Sequence, residues 1–403
     1  MTANTVRVLH VAGSLGTGGT EKVMQLFAAH LDRTRFQTAV LAAEDGPRGA
    51  LLREAGIPTF VGADAGRVLE RFGPQVVHVH RAGWAEPEAL RPLRLYRRNA
   101  LRAGRRVVLV ETNVFGRHDP SPGAADIDAT LFVSHFCARR YAAEHGIATV
   151  PPRYHVVYNP VDTDFFADHT PAPEERDYAR PVIGRISRPD PGKWSPLALD
   201  FLPPVVRALP QCRYRIIGGI EQARRFVTEN NLADHVEFLP PVLTEAGLAA
   251  FFNSVSLLAH ANDAGESFGL VIAEAMACGL PVVTHPARGM RDNAQLELVE
   301  HGVTGLVADT AEEYAQAVLW LLRNPDEARR MGSAGRDKAR RLFRVRTVTA
   351  QLEAVYCSLL FPAAGGGQAK HAGQAGHAGQ AGQGVRASDS REDGAEPLRG
   401  SGL

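Results

Sequence analysis

Cysteine is scarce in this chain: four in 403 residues, at positions 137, 212, 278 and 357, with no CxxC pair. That spacing makes neither a zinc knuckle nor a dense disulfide framework, and it fits buried or free thiols in a reducing compartment. Long apolar runs are missing as well, since no uninterrupted stretch nears the ~18 residues that span a bilayer. A surplus of one charge is also absent: 45 Lys and Arg against 44 Asp and Glu leave a net of +1. Such a balance argues against nucleic acid as the main partner, because phosphate neutralisation needs an excess of Lys and Arg. The opening MTANTVRVLHVAG lacks a charged segment followed by a long apolar one. A soluble cytoplasmic chain is expected, with peripheral attachment to the inner face of a membrane left open.

What is present is enough apolar material, 45% of the residues, for two ordinary cores at roughly 150 residues per domain. Short β-branched runs alternate with helical patterns. VRVLHVAG, QTAVLAAE, PQVVHVH, RRVVLVET and ATLFVS read as strands, and TEKVMQLFAAHL and HFCARRYAAEHG as helices. After a Pro- and charge-rich stretch a second alternation begins at PVIGRIS, continues through PLALDFLPPVVRAL as one helix with a Pro pair inside, and runs to three C-terminal helices. Continuous apolar strands separated by helices imply parallel sheets covered on both faces, hence an α/β fold. The expected domains are 1–165, a linker 166–180, a second domain 181–345, and a helix 346–362 packing back on the first. The Gly/Ala/Gln-rich tail, 363–403, is expected to be disordered because it cannot bury enough apolar surface to offset its ordering entropy.

The first strand runs into GSLGTGGTEK (13–22). A glycine loop that opens a helix lets backbone approach a ligand and aims unpaired N–H groups at it, which suits phosphate. It is not a GxGxxG fingerprint, because Glu21 stands where the third glycine belongs, and it is not a Walker loop, because no GK[ST] follows. The richest segment is GESFGLVIAEAMACGLPVVTH (265–285). With a helix starting near Ser267, Glu266 lies at its mouth and Glu274 two turns deeper. Eight residues turn through about 800°, so both address one side. Gly265 and Gly269 thin the loop. The amides of Ser267, Phe268, Gly269 and Leu270 are then first-turn donors placed for a diphosphate, with Glu274 able to hold vicinal hydroxyls such as those of a ribose. In GRISRPDPGKW (184–194), Arg185 at a strand end and Lys193 after a Pro/Gly turn supply the countercharge for a diphosphate leaving group.

These elements, GTGGTE, GRIS…GKW, IIGG (216–219) and GESFGLVIAEAMACGLPVV in that order, resemble the retaining GT-B glycosyltransferases of family 4, over roughly residues 6–345. The resemblance implies two Rossmann-like, doubly wound domains facing across a cleft. It implies a nucleotide-sugar donor held mainly by the second domain, a carbohydrate, lipid-linked or small-molecule acceptor, and a role in building cell-envelope polysaccharide. Gly18 and Gly19 would face the diphosphate, and Arg185 and Lys193 would stabilise it as it leaves. Glu274 would hold the ribose. Glu266 would contact the sugar hydroxyls, with Ser267, Phe268, Gly269 and Leu270 as backbone donors. His80 would touch the sugar from the first domain.

Seven residues separate Arg185 from Lys193, more than the family's usual few. ETNVFGRHD (111–119) has no obvious counterpart, although Thr112, Asn113 and His118 are placed to line an acceptor cleft. DID (126–128) and DTD (162–164) imitate a DxD metal motif but follow no run that brings them to the cleft, so no metal and no cofactor beyond the donor are expected. RPLRLYRRNALRAGRR (91–106) carries seven arginines and no acid; it is either a solvated face or a surface for anionic lipid. Three alternatives stand beside the transferase. They are a sugar-nucleotide isomerase or phosphorylase on the same architecture, an NAD-dependent oxidoreductase, and a non-catalytic sugar-nucleotide binding module.

Overall fold

The computed structural model describes residues 5–172, 176, 178, 180–289 and 291–362. The tail from 363 onward and parts of the segment expected as linker lie outside the described residues.

The first sheet holds seven strands: β1 (Val6–Ser14), β2 (Phe36–Glu44), β3 (Thr59–Val61), β4 (Val76–Arg81), β5 (Val108–Asn113), β6 (Ala129–Phe132) and β7 (Tyr154–Val156). Between them run α1 (Gly19–His30), α2 (Pro47–Glu54), α3 (Ala65–Phe72), α4 (Pro87–Arg102) and α5 (His135–His145). After α6 (Thr163–His169) comes the second sheet, β8 (Val182–Ile186), β9 (Arg213–Ile217), β10 (Val236–Leu239), β11 (Leu257–Ala259), β12 (Val282–Thr284) and β13 (Gly305–Val307). Its helices are α7 (Leu197–Asp200), α8 (Leu202–Ala208), α9 (Glu221–Glu229), α10 (Glu245–Asn253), α11 (Leu270–Ala277) and α12 (Gln295–Leu298). Three more close the described chain, α13 (Ala311–Arg323), α14 (Pro325–Leu342) and α15 (Val345–Leu360).

Strand order is β3-β2-β1-β4-β5-β6-β7 in one sheet and β10-β9-β8-β11-β12-β13 in the other. Every strand pair is parallel. This is the doubly wound α/β architecture expected from the alternation. Its cause is visible in β4 and β5, whose residues are all buried, so that no polar-out face survives. Three histidines, His10, His78 and His80, are buried within this apolar setting.

Three elements differ from the sequence expectation. The segment PLALDFLPPVVRAL, read as one helix, is two. Pro203 and Pro204 stand in the first turn of α8, where a missing N–H breaks no helical bond. The start of the expected linker is helical: α6 is capped by Asp162, whose side chain accepts from the Phe165 amide, and it buries Phe166. Seven and eight residues, the lengths of α6 and α3, are too few for a helical period to register.

Chain crossings between the two sheets are tied together. The Val161 amide donates to the Phe343 carbonyl at 2.7 Å and the Val345 amide to the Val161 carbonyl at 2.9 Å. From there α15 returns to the first sheet. Val348, Leu352 and Tyr356 are buried in one cluster with Val6, Phe27, Phe36 and Val76. The Tyr356 hydroxyl pairs with His78 Nδ1 at 2.6 Å, and Glu353 accepts the Asp32 amide at 2.8 Å. Leu352→Ala therefore opens a hole in the core of the first sheet although it lies at the far end of the sequence. It should cost about 2–5 kcal/mol, read as a lower denaturation midpoint with an unchanged slope.

Candidate active site

In each sheet the strand order reverses once, between β1 and β4 and between β8 and β11. The connections leaving the carboxyl ends on either side of such a point diverge and leave a crevice, where ligands of open α/β sheets bind. The motif residues gather at these ends. The glycine loop follows β1, and His80 and Arg81 end β4. Arg185 stands at the end of β8, and His260 and Asn262 follow β11.

Around β8 and β11 the charges are tightly paired. Lys193 Nζ lies 3.1 Å from both Glu266 carboxylate oxygens. Asn262 Nδ2 donates to Glu266 at 2.9 Å and His260 Nε2 lies 3.3 Å from it. Burial opposes ionisation of Glu266. The His260 hydrogen bond, the Lys193 charge and the Asn262 amide nevertheless hold its carboxyl at about 2. Arg185 is 2% exposed. Its guanidinium donates to the Ala261 carbonyl at 2.9 Å and to the Lys193 carbonyl at 2.6 Å, and lies over the Trp194 ring at 4.1 Å. Arg185 thus closes the crevice between β8 and β11 and anchors the backbone that carries Lys193, leaving its own Nε buried without a partner.

The helix after Glu266 begins later than the sequence suggested. Gly269 is the N-cap of α11, with φ at 100°, in the left-handed region where only glycine is comfortable. Ser267 and Phe268 therefore lie in a loop, and Leu270 is the first helical residue. Among the described residues no acceptor meets the amides of Ser267, Phe268 and Gly269. Gly265 is fixed by packing, because a Cβ there would stand 1.6 Å from the Asp292 carbonyl oxygen. Ser267 Oγ donates to Asp292 at 2.6 Å, and Ser134 Oγ, from the first sheet's side, donates to the Ser267 carbonyl at 2.7 Å.

Gly18 caps α1 and Gly19 opens it. A Cβ on Gly19 would lie 3.1 Å from the Leu270 side chain, so the glycine loop faces the start of α11. Glu274 is buried on α11, and its carboxylate accepts Lys22 Nζ at 2.5 Å. Lys22 also reaches Glu245 at 2.6 Å, and Arg48 stands 3.5 Å from Glu245. Burial opposes the Lys22 charge, but Glu274 and Glu245 outweigh it and raise its pKa. Sequence reasoning missed Lys22. It directly follows GGTE, but its partners lie 223 and 252 residues away and no local pattern announces them.

His80 sits in a separate cluster on the first sheet. Its Nε2 lies 3.0 Å from His10 Nδ1, and its Nδ1 is buried without a protein partner. Burial lowers His10 to about 3 and puts His78 and His80 well below their ordinary values, so all three rings are neutral at physiological pH. They are the one group of metal-ligand type among the described residues, yet their geometry is unsuited to an ion. His78 is engaged at both nitrogens, by Tyr356 and Thr112, which leaves it no free lone pair for an ion. The DxD look-alikes are committed elsewhere. Asp126 and Asp128 hold Arg94, Arg97 and Arg98 of the basic helix, Asp162 caps α6, and Asp164 pairs with Arg344. Of the residues expected to line an acceptor cleft, Thr112 on β5 turns toward His78, whereas Asn113, the last residue of β5, and His118 line a cavity of the first sheet.

Two parallel doubly wound sheets with these loops at their carboxyl ends define the GT-B architecture, and the chain has the fold of that class. Residues 180–324 match the model of the family described as glycosyl transferases group 1, which bears out the resemblance read from the motifs. The chain is 32% identical over 242 residues to the GDP-mannose-dependent alpha-(1-6)-phosphatidylinositol monomannoside mannosyltransferase of Mycobacterium tuberculosis, covering 56% of this chain and 60% of that protein. It is also 32% identical over 191 residues to the D-inositol 3-phosphate glycosyltransferase of Mycobacterium marinum, covering 43% of this chain and 38% of that one. The chain thus spans less than two thirds of the length of these relatives. Among solved structures it resembles the Anabaena HepE protein in complex with UDP and glucose, with a TM-score of 0.68, 22% identity, and coverage of 88% of this chain and 100% of that one. It also resembles a glycosyltransferase from Rickettsia africae, with a TM-score of 0.72, 14% identity, and coverage of 89% and 100%.

Two stability predictions follow from the paired charges. Lys22→Ala leaves the Glu274 carboxylate buried and unpaired and should cost about 3–5 kcal/mol, measured by chemical denaturation. Glu266 has a folded-state carboxyl at about 2 against an ordinary 4.5. Its contribution to stability is complete above pH 4.5 and is lost as the pH falls toward 2. The acid limb of a melting-temperature profile should therefore be shallower in Glu266→Gln than in the unaltered protein.

Proposed function

We propose that the protein is a retaining glycosyltransferase that moves a hexosyl group from a nucleoside diphosphate sugar to a hydroxyl acceptor without a metal ion. The observation that carries this reading is the row of unpaired amides at Ser267, Phe268 and Gly269, beside Lys193 and opposite Gly18 and Gly19. Donors fixed in place before the reaction stabilise charge that develops on a departing diphosphate, and this is the main electrostatic task of such a transfer. Lys193 supplies a mobile point charge there, and Arg185 acts by holding the Lys193 backbone. The C1–O bond to the diphosphate breaks as the acceptor oxygen bonds to C1 on the same face, and the acceptor's proton passes to the leaving diphosphate oxygen. Glu266 orients the sugar hydroxyls, and His80, neutral and with one nitrogen free, donates to the sugar from the first sheet.

Glu274 is assigned to the ribose hydroxyls, which requires Lys22 to share or release it when donor binds. The metal-independent step is supported by the cations at the crevice and by the engagement of both DxD look-alikes with other partners. Inositol phosphate and phosphatidylinositol in the relatives' names favour a polyol or lipid-linked acceptor. Peripheral contact with anionic membrane through residues 91–106 rests on what remains of that helix's charge once Arg94, Arg97 and Arg98 are paired.

A panel of nucleoside diphosphates screened by thermal shift should include one that raises the melting temperature, and its sugar conjugate should be turned over only when an acceptor is present. If none of UDP, GDP or ADP shifts the protein, the reading fails. Lys193→Ala should lower kcat about 10²–10³-fold. Glu274→Gln should erase the preference for the ribonucleotide over its 2′-deoxy analogue in calorimetry, and an unchanged ratio would remove its assignment.

A further inference from the structure

We infer that Arg140, on α5 of the first sheet, is a positioning residue that sets the unpaired amides of Ser267, Phe268 and Gly269 in the shape that receives a diphosphate. The inference deepens the transferase reading and rests on it for the identity of the ligand.

The loop that carries those amides leans on the segment 292–295. The Ser267 hydroxyl donates to Asp292 Oδ2 at 2.6 Å. The Ala294 amide donates to the Glu266 carbonyl at 2.8 Å, and Gln295 Oε1 accepts the Glu266 amide at 3.0 Å. Gly265 packs against the Asp292 carbonyl with no room for a side chain between them. A group that fixes Asp292 therefore fixes the loop as well.

Asp292 is buried, and among the described residues Arg140 is the cation that meets it, through Nη1 to Oδ1. Ser267 and Arg140 thus take different oxygens of one carboxylate, which is oriented from both sides. Arg140 is buried too, and its other fork nitrogen, Nη2, donates to the Phe115 carbonyl in the turn after β5. A planar guanidinium holds two acceptors at a fixed angle, which a single ammonium does not. The contacts run without a break from the Phe115 carbonyl on the first sheet's side, through Arg140 and Asp292, to the Ser267 hydroxyl on the second.

The start of α5 acts on the same loop. Ser134 Oγ donates to the Ser267 carbonyl at 2.7 Å, and Glu297 accepts the His135 and Phe136 amides at 3.2 and 3.0 Å. The Ser267 carbonyl shares its peptide plane with the Phe268 N–H, so holding the one aims the other the opposite way. Ser134 sets that plane, and Arg140, through Asp292, sets the side chain beside it. Neither residue needs to touch the ligand to decide where the amides point.

The test is calorimetry on the full chain with UDP, GDP and ADP and with their monophosphates. A diphosphate offers the amide row one phosphoryl group more, so the ratio of the two affinities reads the row itself. Arg140→Met combined with Asp292→Asn removes both charges and leaves no carboxylate buried without a partner. In this double variant the preferred diphosphate should bind about tenfold more weakly, while its monophosphate changes by less than about twofold. Arg140→Lys keeps the charge and loses the fork, so it should fall between, and it carries the measurements if the double variant does not fold. A role in stability alone moves both nucleotides equally or neither, and an unchanged ratio overturns the inference. Hydrogen exchange on the free protein is the second readout. The Glu266 and Ala294 amides should exchange about tenfold faster in the variant, with the amides of the β1–β2 pairing unaltered. Unchanged exchange in the loop likewise overturns the inference. A parent protein that binds none of the nucleotides defeats the transferase reading, and the exchange rates then decide the positioning role by themselves.

Discussion

The constraint from which everything else follows is the reversal of strand order in a parallel sheet. Once the chain winds outward from one central strand and then outward on its other side, two neighbouring connections must part company at the carboxyl edge. Both sheets obey this, and both reversals involve their own first strand, β1 and β8. Glycine-rich turns, unpaired amides and charged side chains collect there because only at that edge do loops converge without having to be covered by a helix.

Collecting charges in a crevice carries a cost when nothing is bound, and the protein meets it by pairing them with one another. Glu266 finds Lys193 and Asn262, and Glu274 finds Lys22 from the other sheet's first helix. Arg185 spends its donors on two carbonyls and its flat face on Trp194. Of these pairs only Lys22–Glu274 joins the two sheets, whereas the contacts of Glu266 and Arg185 lie within the second. The first sheet repeats the pattern in its interior, where Arg81 satisfies Glu111 and Asp119 together.

Much of this was legible in the sequence. The alternation of elements gave the fold class, and the glycine turn, the two carboxylates and the two cations named the crevice residues before any coordinates. What stayed hidden was of two kinds. Local boundaries escaped where an element was too short to show a period, as in α3 and α6, or where a left-handed glycine delayed a helix, as at Gly269. Long-range pairings escaped for a deeper reason. Lys22 meets Glu274, and Asp126 and Asp128 meet the arginines of α4, only after the chain has folded. Periodicity records which face a residue occupies and is silent on which distant residue shares it. The seven arginines of 91–106 looked like a bare basic surface for that reason.

The return of α15 to the first sheet has a consequence for the order of events during synthesis. Every strand of that sheet leaves the ribosome before residue 160, yet the side chains that seal Val6, Phe36 and Val76 belong to Val348, Leu352 and Tyr356. The amino-terminal half must therefore wait, with part of its apolar face bare, while nearly two hundred further residues are translated. The nascent chain is exposed to aggregation for all of that interval, and α15, the last helix among the described residues, is the one that ends it.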